Sequence, residues 1–438
     1  MHPAMTDHAD ERRLMRKLAW RLLPLLVLTF FTAFLNRQNV GFTKLQMLAD
    51  LQMSEAVYGL GASLFFIGYI AFEVPSSLAL ARLGARLWIG VMAACWGLVT
   101  VLMAFTNSQE TFYVLRFLLG VAQAGFFPGA IFYISSWFPR DRHVRMIGIF
   151  TLGSALGNTV GGAINGTLLD LQGLMGLAGW QWVFIGGGLP TIVLTGFIFA
   201  FLPATADQAR FMTERDRNLL KAARIRGPIA SQPPRNPWAA LRDRRVIALC
   251  LLDVLIITAF YGITYWLPTV IRTFGVSATV NGFLNAIPWM IGATMLIILP
   301  RLIQDDRWSV ATIATVSLIG ALCFVAGATL ASPIAQFVAL AIGGACVTSL
   351  NPFFWSLATR QFSGVYAAAS IATINSIGNL GGFIAQNLMP WMQGQVGSAA
   401  GAMIVPALSL GLLGATMGVI AFRQWTKPSG STPAARAL

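Results

Sequence analysis

Two arginines, Arg37 and Arg116, lie inside long apolar stretches of the chain. A cation in the membrane interior costs about 2.5 to 3.5 kcal/mol on insertion scales, so it persists mainly where it has a partner or a function. The planar guanidinium fork binds carboxylates through two parallel hydrogen bonds. The pair therefore predicts an anion site within the membrane, with the two arginines at similar depth. The alternative is that each side chain snorkels to the outer interface.

Two acids also fall within apolar stretches. Glu73, just before Pro75, is expected to join a gating network or to cap backbone groups that the proline leaves free. For Asp253, pairing with Arg244 or Arg245 is favoured over a role as a proton site. Both acids are retained as candidates for proton transfer or gating.

The chain carries no residue set that would predict catalysis. It contains no HExxH pair, no two nearby carboxylates within a span and no Walker A sequence. The four cysteines are scattered through apolar stretches without metal-ligand spacing: Cys95, Cys250, Cys323 and Cys346. We expect no catalytic residue, no metal and no cofactor, and a membrane-embedded enzyme is only a distant alternative.

The composition indicates that an integral membrane protein holds these residues in place. Of 438 residues, 56% are hydrophobic and only 11% are charged, against about 25% charged in soluble proteins. Apolar runs of about 20 residues, enough to cross a bilayer as a helix, occur twelve times, and no ten-residue alternation typical of a barrel is seen. The runs lie near 18–43, 57–80, 87–106, 111–137, 144–169, 180–202, 246–271, 279–300, 308–330, 334–358, 365–392 and 401–425.

The predicted fold is an all-α polytopic protein of twelve transmembrane helices in two six-helix bundles. A basic, proline-rich segment separates the bundles. The predicted boundaries are an N-terminal tail over 1–17, bundles over 18–203 and 244–425, a linker over 204–243 and a C-terminal tail over 426–438.

The net charge of +14 is explained by membrane orientation. With both termini in the cytoplasm, Lys44 and Arg272 lie at the outer face and Arg37 and Arg116 within spans, and every other Lys or Arg is cytoplasmic. This is the positive-inside pattern, so no nucleic-acid partner is expected. The predicted location is the bacterial inner membrane, with lipid around the chain and a monomer as the expected state.

The two halves resemble each other weakly. Residues 156–162 (LGNTVGG) in the fifth span match 377–382 (IGNLGG) in the eleventh with one gap. Paired halves around a midplane cavity are typical of secondary transporters. Transport is therefore the leading prediction.

Several motifs resemble the major facilitator superfamily and, within it, the anion:cation symporters that import sugar acids, tartrate, phthalate and hydroxyphenylacetate. They lie at 36–42 (NRQNVGF), 66–69 (FIGY), 72–76 (FEVPS), 115–120 (LRFLLG), 123–129 (QAGFFPG), 265–268 (YWLP) and 374–382 (INSIGNLGG). The segment 80–86 (LARLGAR) resembles the superfamily's cytoplasmic gating motif, with Arg82, Gly84 and Arg86 in place and Ala81 where an acid is usual.

The resemblance implies that Arg37 binds the substrate carboxylate and that Arg116 is the second arginine. It further implies cavity positions for Tyr69, Trp355, Asn375 and Asn379. The family's two protonatable acids are replaced here by Asn36 and Gln123, which cannot titrate. Proton coupling, which the family implies, would therefore need another group.

The expected function is secondary active transport of a small organic anion by alternating access, with protons as a candidate coupled ion. Because no acid is expected beside the arginines, the cargo itself should supply the negative charge, as two carboxylates or as one carboxylate with hydroxyl or aromatic groups. Uniport, anion exchange and sugar-phosphate:phosphate exchange are the alternatives.

Overall fold

The computed structural model describes residues 3–225, 242–303, 306–362 and 364–426, and within these ranges the regular structure is helical. The helices of the first half are α1 (Pro3–Asp50), α2 (Glu55–Leu83), α3 (Ala85–Met103), α4 (Gln109–Ala124), α5 (Phe126–Trp137), α6 (Arg140–Leu169), α7 (Gly179–Phe201) and α8 (Glu214–Ile225). Those of the second half are α9 (Arg244–Arg272), α10 (Ala278–Leu302), α11 (Asp306–Thr329), α12 (Pro333–Ser349), α13 (Asn351–Arg360), α14 (Gly364–Gly378), α15 (Leu380–Val396) and α16 (Ile404–Thr426).

These helices form the predicted twelve spans. Eleven helical segments of the described chain are long and apolar enough to cross a bilayer, and the broken helix α14–α15 is the remaining span. The fourth span is α4 with α5 and the tenth is α12 with α13. The fold class predicted from the sequence is confirmed.

We call the end of the bundle that carries the turns 51–54, 104–108 and 273–277 the outer end, after the predicted orientation, and the opposite end the inner end. Three helices start at the outer end on a serine cap. Ser54, Ser108 and Ser277 each accept a hydrogen bond from the backbone N–H three residues later. A serine in this position satisfies one of the free N–H groups of the first turn.

The two halves close on each other at the outer end. Gly166 of α6 lies against the Ala278 carbonyl of α10 with no room for a methyl group. Asp170 accepts hydrogen bonds from the backbone N–H groups of Ala278 (3.3 Å) and Thr279 (2.7 Å), and so caps α10 from the other half. Such a cap stabilises a helix by about 1 kcal/mol.

A buried cation completes the outer closure. Lys44 of α1 is 4% exposed; its Nζ lies 2.7 Å from Oε2 of Glu55 and 3.3 Å from the ring centroid of Trp266 on α9. Towards the inner end, α5 and α13 make their main contacts within their own halves. The halves therefore meet at the outer end, whereas α5 and α13 at the inner end pack mainly within their own halves.

The helix α8 of the connecting segment packs on the first half. Lys17 of α1 forms a salt bridge of 2.7 Å with Asp216, Arg215 pairs with Asp10, and the Arg21 guanidinium stacks on Phe211. The predicted tail over 1–17 continues the first span as one helix, apart from residues 1 and 2. Those two residues, 226–241 of the predicted linker and 427–438 of the predicted C-terminal tail lie outside the described residues.

Candidate functional site

Arg37 lies at the centre of the bundle in an aromatic cage. Its Nε donates to Oε1 of Gln123 (3.0 Å) and its Nη1 donates to the Tyr261 hydroxyl (3.0 Å). The guanidinium carbon also lies 4.9 to 5.4 Å from three ring centroids, those of Phe34, Phe65 and Tyr69. Partners from both halves therefore hold Arg37, and its side chain remains half-buried.

Arg116 is a buried cation with few hydrogen-bond partners among the described residues. It is 1% exposed, and its Nη2 donates to the Ala62 carbonyl at 3.0 Å. Its Nε and Nη1 have no hydrogen-bond partner among the described residues. The Tyr265 hydroxyl lies close to the guanidinium without forming a well-aligned hydrogen bond.

The two arginines share the ring of Phe65, whose centroid lies 5.4 Å from the Arg37 guanidinium carbon and 5.1 Å from that of Arg116. Their tyrosine partners are four residues apart on α9, a rise of about 6 Å towards the outer end. Arg116 therefore occupies an outer tier and Arg37 an inner tier, rather than the same depth. Both side chains point into the bundle and neither reaches the outer interface, contrary to the snorkelling alternative.

Of the two amides that replace the family's acids, Gln123 lies beside Arg37, whereas Asn36 packs against Gly187 of α7. Gln123 uses its oxygen for Arg37, and its Nε2 is buried without a partner among the described residues. Asn36 is 1% exposed; its oxygen accepts from Asn39 at 3.4 Å, and its Nδ2 likewise has no described partner. Gln123 thus carries an unused donor beside the inner tier, and Asn36 carries one between α1 and α7.

An acid does lie near the inner tier, which corrects the expectation that none would. The Glu73 carboxylate on α2 is close enough to Arg37 and Tyr69 to interact with them electrostatically. It also lies close to the Asn375 and Ser376 side chains of α14. Glu73 is half-buried, and its Oε2 has no hydrogen-bond partner among the described residues.

Asp253 does not pair as expected. It is 3% exposed and forms no ion pair with a described residue, so the predicted salt bridge with Arg244 or Arg245 is absent. Its carboxylate packs directly on Gly378, leaving no space for a side chain there. Asp253 thus lies at the break between α14 and α15.

The other predicted cavity residues divide into two groups. Tyr69 and Asn375 lie beside Arg37 and Glu73, as described above. Asn379 donates its amide to the Asn375 carbonyl at 2.8 Å and so satisfies backbone groups at the helix break. Trp355 packs on Phe354, 5.3 Å between ring centroids, on α13, and makes no ring or charge contact with either arginine.

The predicted gating motif forms the turn between α2 and α3. Gly84 has φ of +80°, which glycine adopts without strain. Arg82 is exposed in the last turn of α2, whereas Arg86 donates to the Phe199 carbonyl of α7. One arginine of the motif is therefore anchored within its own half and the other is free to reach solvent.

Sequence reasoning missed Tyr261 and Tyr265, which supply the second half's contribution to both tiers. Their rings stack, with centroids 5.4 Å apart. The available signal was their spacing of four residues in a buried span, which places both on one helix face. It also missed Phe65, whose apolar ring gives no hint of cation contact in the sequence.

Comparison with known proteins gives the family. The Major Facilitator Superfamily profile matches residues 26–386. A "Putative tartrate transporter" of Agrobacterium vitis is 41% identical over 399 residues, covering 90% of this chain and 88% of the relative. A quinolone resistance transporter of Acinetobacter baumannii is 39% identical over 379 residues, 85% of this chain and 87% of that protein.

The fold has solved counterparts. The crystal structure of a bacterial homologue of the human lysosomal transporter Spinster, inward-facing and unoccupied, superposes with a TM-score of 0.74 at 16% identity, covering 93% of this chain and 98% of that one. The family match identifies a transporter rather than an enzyme. The chain belongs to the Major Facilitator Superfamily and is a multi-pass membrane transporter.

Proposed function

We propose that the protein is a secondary carrier for small organic anions that carry at least one carboxylate. The observation that supports this most is Arg116, a fully buried guanidinium with two nitrogens that lack a hydrogen-bond partner among the described residues. A buried charge without a counter-charge costs several kcal/mol. An anionic cargo would offset that cost, whereas a neutral cargo would not.

The two tiers fit a cargo with two polar ends. Arg37 is half-buried and holds partners from both halves, Gln123 and Tyr261. Arg116 lies beneath the outer closure, one helical turn further. A short dicarboxylate, or a monocarboxylate with a chain of hydroxyls, would place one end in each tier. Similarity to proteins named for tartrate transport supports the same class of cargo.

The transport step that we propose is a rocking of the halves about these tiers. The outer contacts of Gly166, Asp170 and Lys44 would separate in the outward-open state and re-form in this one. Because Tyr261 and Tyr265 belong to the second half and both arginines to the first, this movement would change the partners of both cations. The site therefore binds differently in the two states, as a carrier requires.

A three-compound series tests the charge requirement at constant shape. Tartrate has two carboxylates, threonate has one of them replaced by a hydroxymethyl group, and threitol has both replaced. In proteoliposomes we expect labelled tartrate counterflow to be inhibited by tartrate and threonate and not by threitol. Threitol has no carboxylate to pair with the arginines, and we expect its affinity to be lower by at least about tenfold.

Arg37→Gln is the matching variant, with Arg272→Gln as its control, because Arg272 is exposed at the outer end of α9. The first should abolish inhibition by threonate and the second should leave it within about twofold. Inhibition by threitol equal to that by threonate would contradict the proposal. So would exchange of inorganic phosphate in strong preference to either carboxylate, which would favour the sugar-phosphate alternative.

A further inference from the structure

Glu73 is the acid whose charge acts on the inner-tier arginine. Among the described residues, the charged and titratable groups that interact with its carboxylate are Arg37 on α1 and Tyr69 on α2 itself. Helix α14 contributes the neutral side chains of Asn375 and Ser376. The other helices packed on α2, namely α3, α4, α5 and α15, bring no described charge to it. The Ser376 and Asn375 side chains favour the ionised form of Glu73 most, and Arg37 is the one cation among the described residues that adds to them.

A carboxylate cargo would compete with Glu73 for that single cation. When a cargo carboxylate occupies the Arg37 fork, the positive charge acting on Glu73 is neutralised. Among the described residues, the half-buried carboxylate then has one oxygen without a hydrogen-bond partner and no second cation that acts on it. A carboxyl group in such surroundings favours its neutral, protonated form, since burial penalises the charged one.

We propose that Glu73 is the proton-coupling acid of the carrier, in place of the acids missing at positions 36 and 123. As the anion enters and binds Arg37, the Glu73 carboxylate takes one proton from the water on the same side. As the anion leaves on the other side, Arg37 again faces Glu73 and the proton is released there. One anion and one proton then cross together, with no other bond made or broken.

The position of Glu73 also links its protonation to the movement of the two halves. Its carboxylate comes from α2 of the first half and approaches Asn375 and Ser376 of α14 in the second. These two side chains can donate to the ionised oxygens, and a protonated carboxyl loses part of that acceptor capacity. Protonation of Glu73 therefore weakens its interaction with Asn375 and Ser376, and this interaction between α2 and α14 must change when the halves rock.

This inference rests on the proposed anion transport, and the experiment separates the two. Purified protein in weakly buffered detergent solution with a pH dye is mixed with threonate. We expect uptake of about one proton per threonate bound, and near zero for Glu73→Gln. Glu110→Gln is the matched control, because Glu110 is an exposed acid at the outer start of α4, and it should behave as the unmodified protein. Glu73→Asp, which keeps a carboxylate, should retain proton uptake.

Proteoliposomes give the second measurement. An inward proton gradient should drive accumulation of threonate inside proteoliposomes that contain the unmodified protein. Glu73→Gln should lower this accumulation at least about tenfold while reducing counterflow far less. With one proton per anion, a negative-inside potential should oppose tartrate entry but not threonate entry. Tartrate would still carry one net charge.

Two results would overturn the assignment of Glu73 while leaving the proposed function intact. One is counterflow of threonate without proton uptake by the unmodified protein. The other is the same proton uptake in Glu73→Gln as in the unmodified protein. If Glu73→Gln binds no threonate, the Glu73→Asp measurement decides: lack of proton uptake there, with threonate bound, counts against the proposal. Absence of counterflow with every carboxylate would instead contradict the proposed function.

Discussion

The two halves share one architecture and divide the chemistry of the site between them. The first half brings both arginines and Glu73, whereas the second brings two tyrosines, two neutral polar side chains on α14 and a buried acid at a helix break. Spans four and ten, which correspond in the two halves, are both broken, at Gly125 and at Leu350. Span five is continuous in α6, but its counterpart, span eleven, breaks at Asn379. The repeat therefore preserves the scaffold and not the site.

The largest effect is expected from removing a charge of the first half. Arg116→Gln should lower tartrate transport at least about a hundredfold, because the outer tier loses its cation. The same variant should be more stable without ligand, by about 1 to 3 kcal/mol, since a buried and poorly partnered charge is removed. Transport in proteoliposomes and thermal unfolding in detergent measure the two effects.

Lower transport together with higher stability in Arg116→Gln would exclude misfolding as the cause of the transport defect. A variant that lost both transport and stability would show that Arg116 holds the fold together through Ala62 and Phe65. A variant that transported normally would show that the outer tier has no part in binding.

Much of this comparison could be predicted from the sequence, and the reason is that membrane physics limits the choices. Apolar length fixed the spans, and the cost of a buried cation singled out Arg37 and Arg116. The contacts between helices could not be predicted. An aromatic pair such as Tyr261 and Tyr265 looks the same in sequence whether it packs or faces a guanidinium group. Likewise, the position of Glu73 beside Arg37 depends on how α2 rotates against α1.

The contact of Asp253 could not be predicted from the sequence either. Its nearest arginines along the chain, Arg244 and Arg245, lie more than two turns away on the same helix, towards the inner end. The carboxylate instead packs on Gly378, a contact 125 positions away that no local rule could indicate.

The break in span eleven gives the second prediction. Gly378→Ala places a methyl group where the Asp253 carboxylate lies, so we expect a loss of about 1 to 3 kcal/mol in unfolding free energy. Gly148→Ala is the control, since no atom lies within 4 Å of that position, and it should be neutral or stabilising by up to about 1 kcal/mol. Adding Asp253→Ala to Gly378→Ala should restore part of the loss, which a double-mutant cycle measures. Full additivity would show that the two positions do not interact.

The tyrosines of the second half give the third prediction. Tyr261→Phe removes the acceptor of the Arg37 Nη1 hydrogen bond, and we expect KM for threonate to rise about tenfold, corresponding to about 1.4 kcal/mol. Tyr133→Phe is a suitable control, because its hydroxyl donates to the Pro203 carbonyl far from the arginines. An equal change in both variants would mean that the second half does not contribute to the inner tier.

The outer cap between the halves gives the fourth prediction. Asp170→Ala removes the carboxylate that caps α10, and the loss of about 1 kcal/mol favours separation of the halves at the outer end. A cysteine introduced at position 279, in a variant lacking the four native cysteines, should then react about fivefold faster with a membrane-impermeant maleimide. Asp170→Asn, which keeps an acceptor oxygen, should show a smaller increase. An unchanged rate would show that this cap does not hold the closure.

The helix α8 at the inner end gives the smallest effect and tests whether α8 belongs with the first half. Burial alone would raise the pKa of Asp216, but hydrogen bonds from Lys17 and Thr213 outweigh it and lower that pKa. A carboxyl whose pKa falls on folding adds stability above its unfolded pKa of about 4, and that stability is lost as pH falls through the lower folded value.

Because the Lys17 side chain is 36% exposed and that of Asp216 is 19% exposed, screening limits the pair to about 0.5 kcal/mol. Lys17→Ala should therefore lower the unfolding temperature slightly at pH 7 and low salt, and not in about 1 M salt, where exposed pairs are screened. A shift that persists in high salt would mean that Lys17 contributes through packing of its aliphatic chain, and α8 would then be held to the first half by apolar contact rather than by charge.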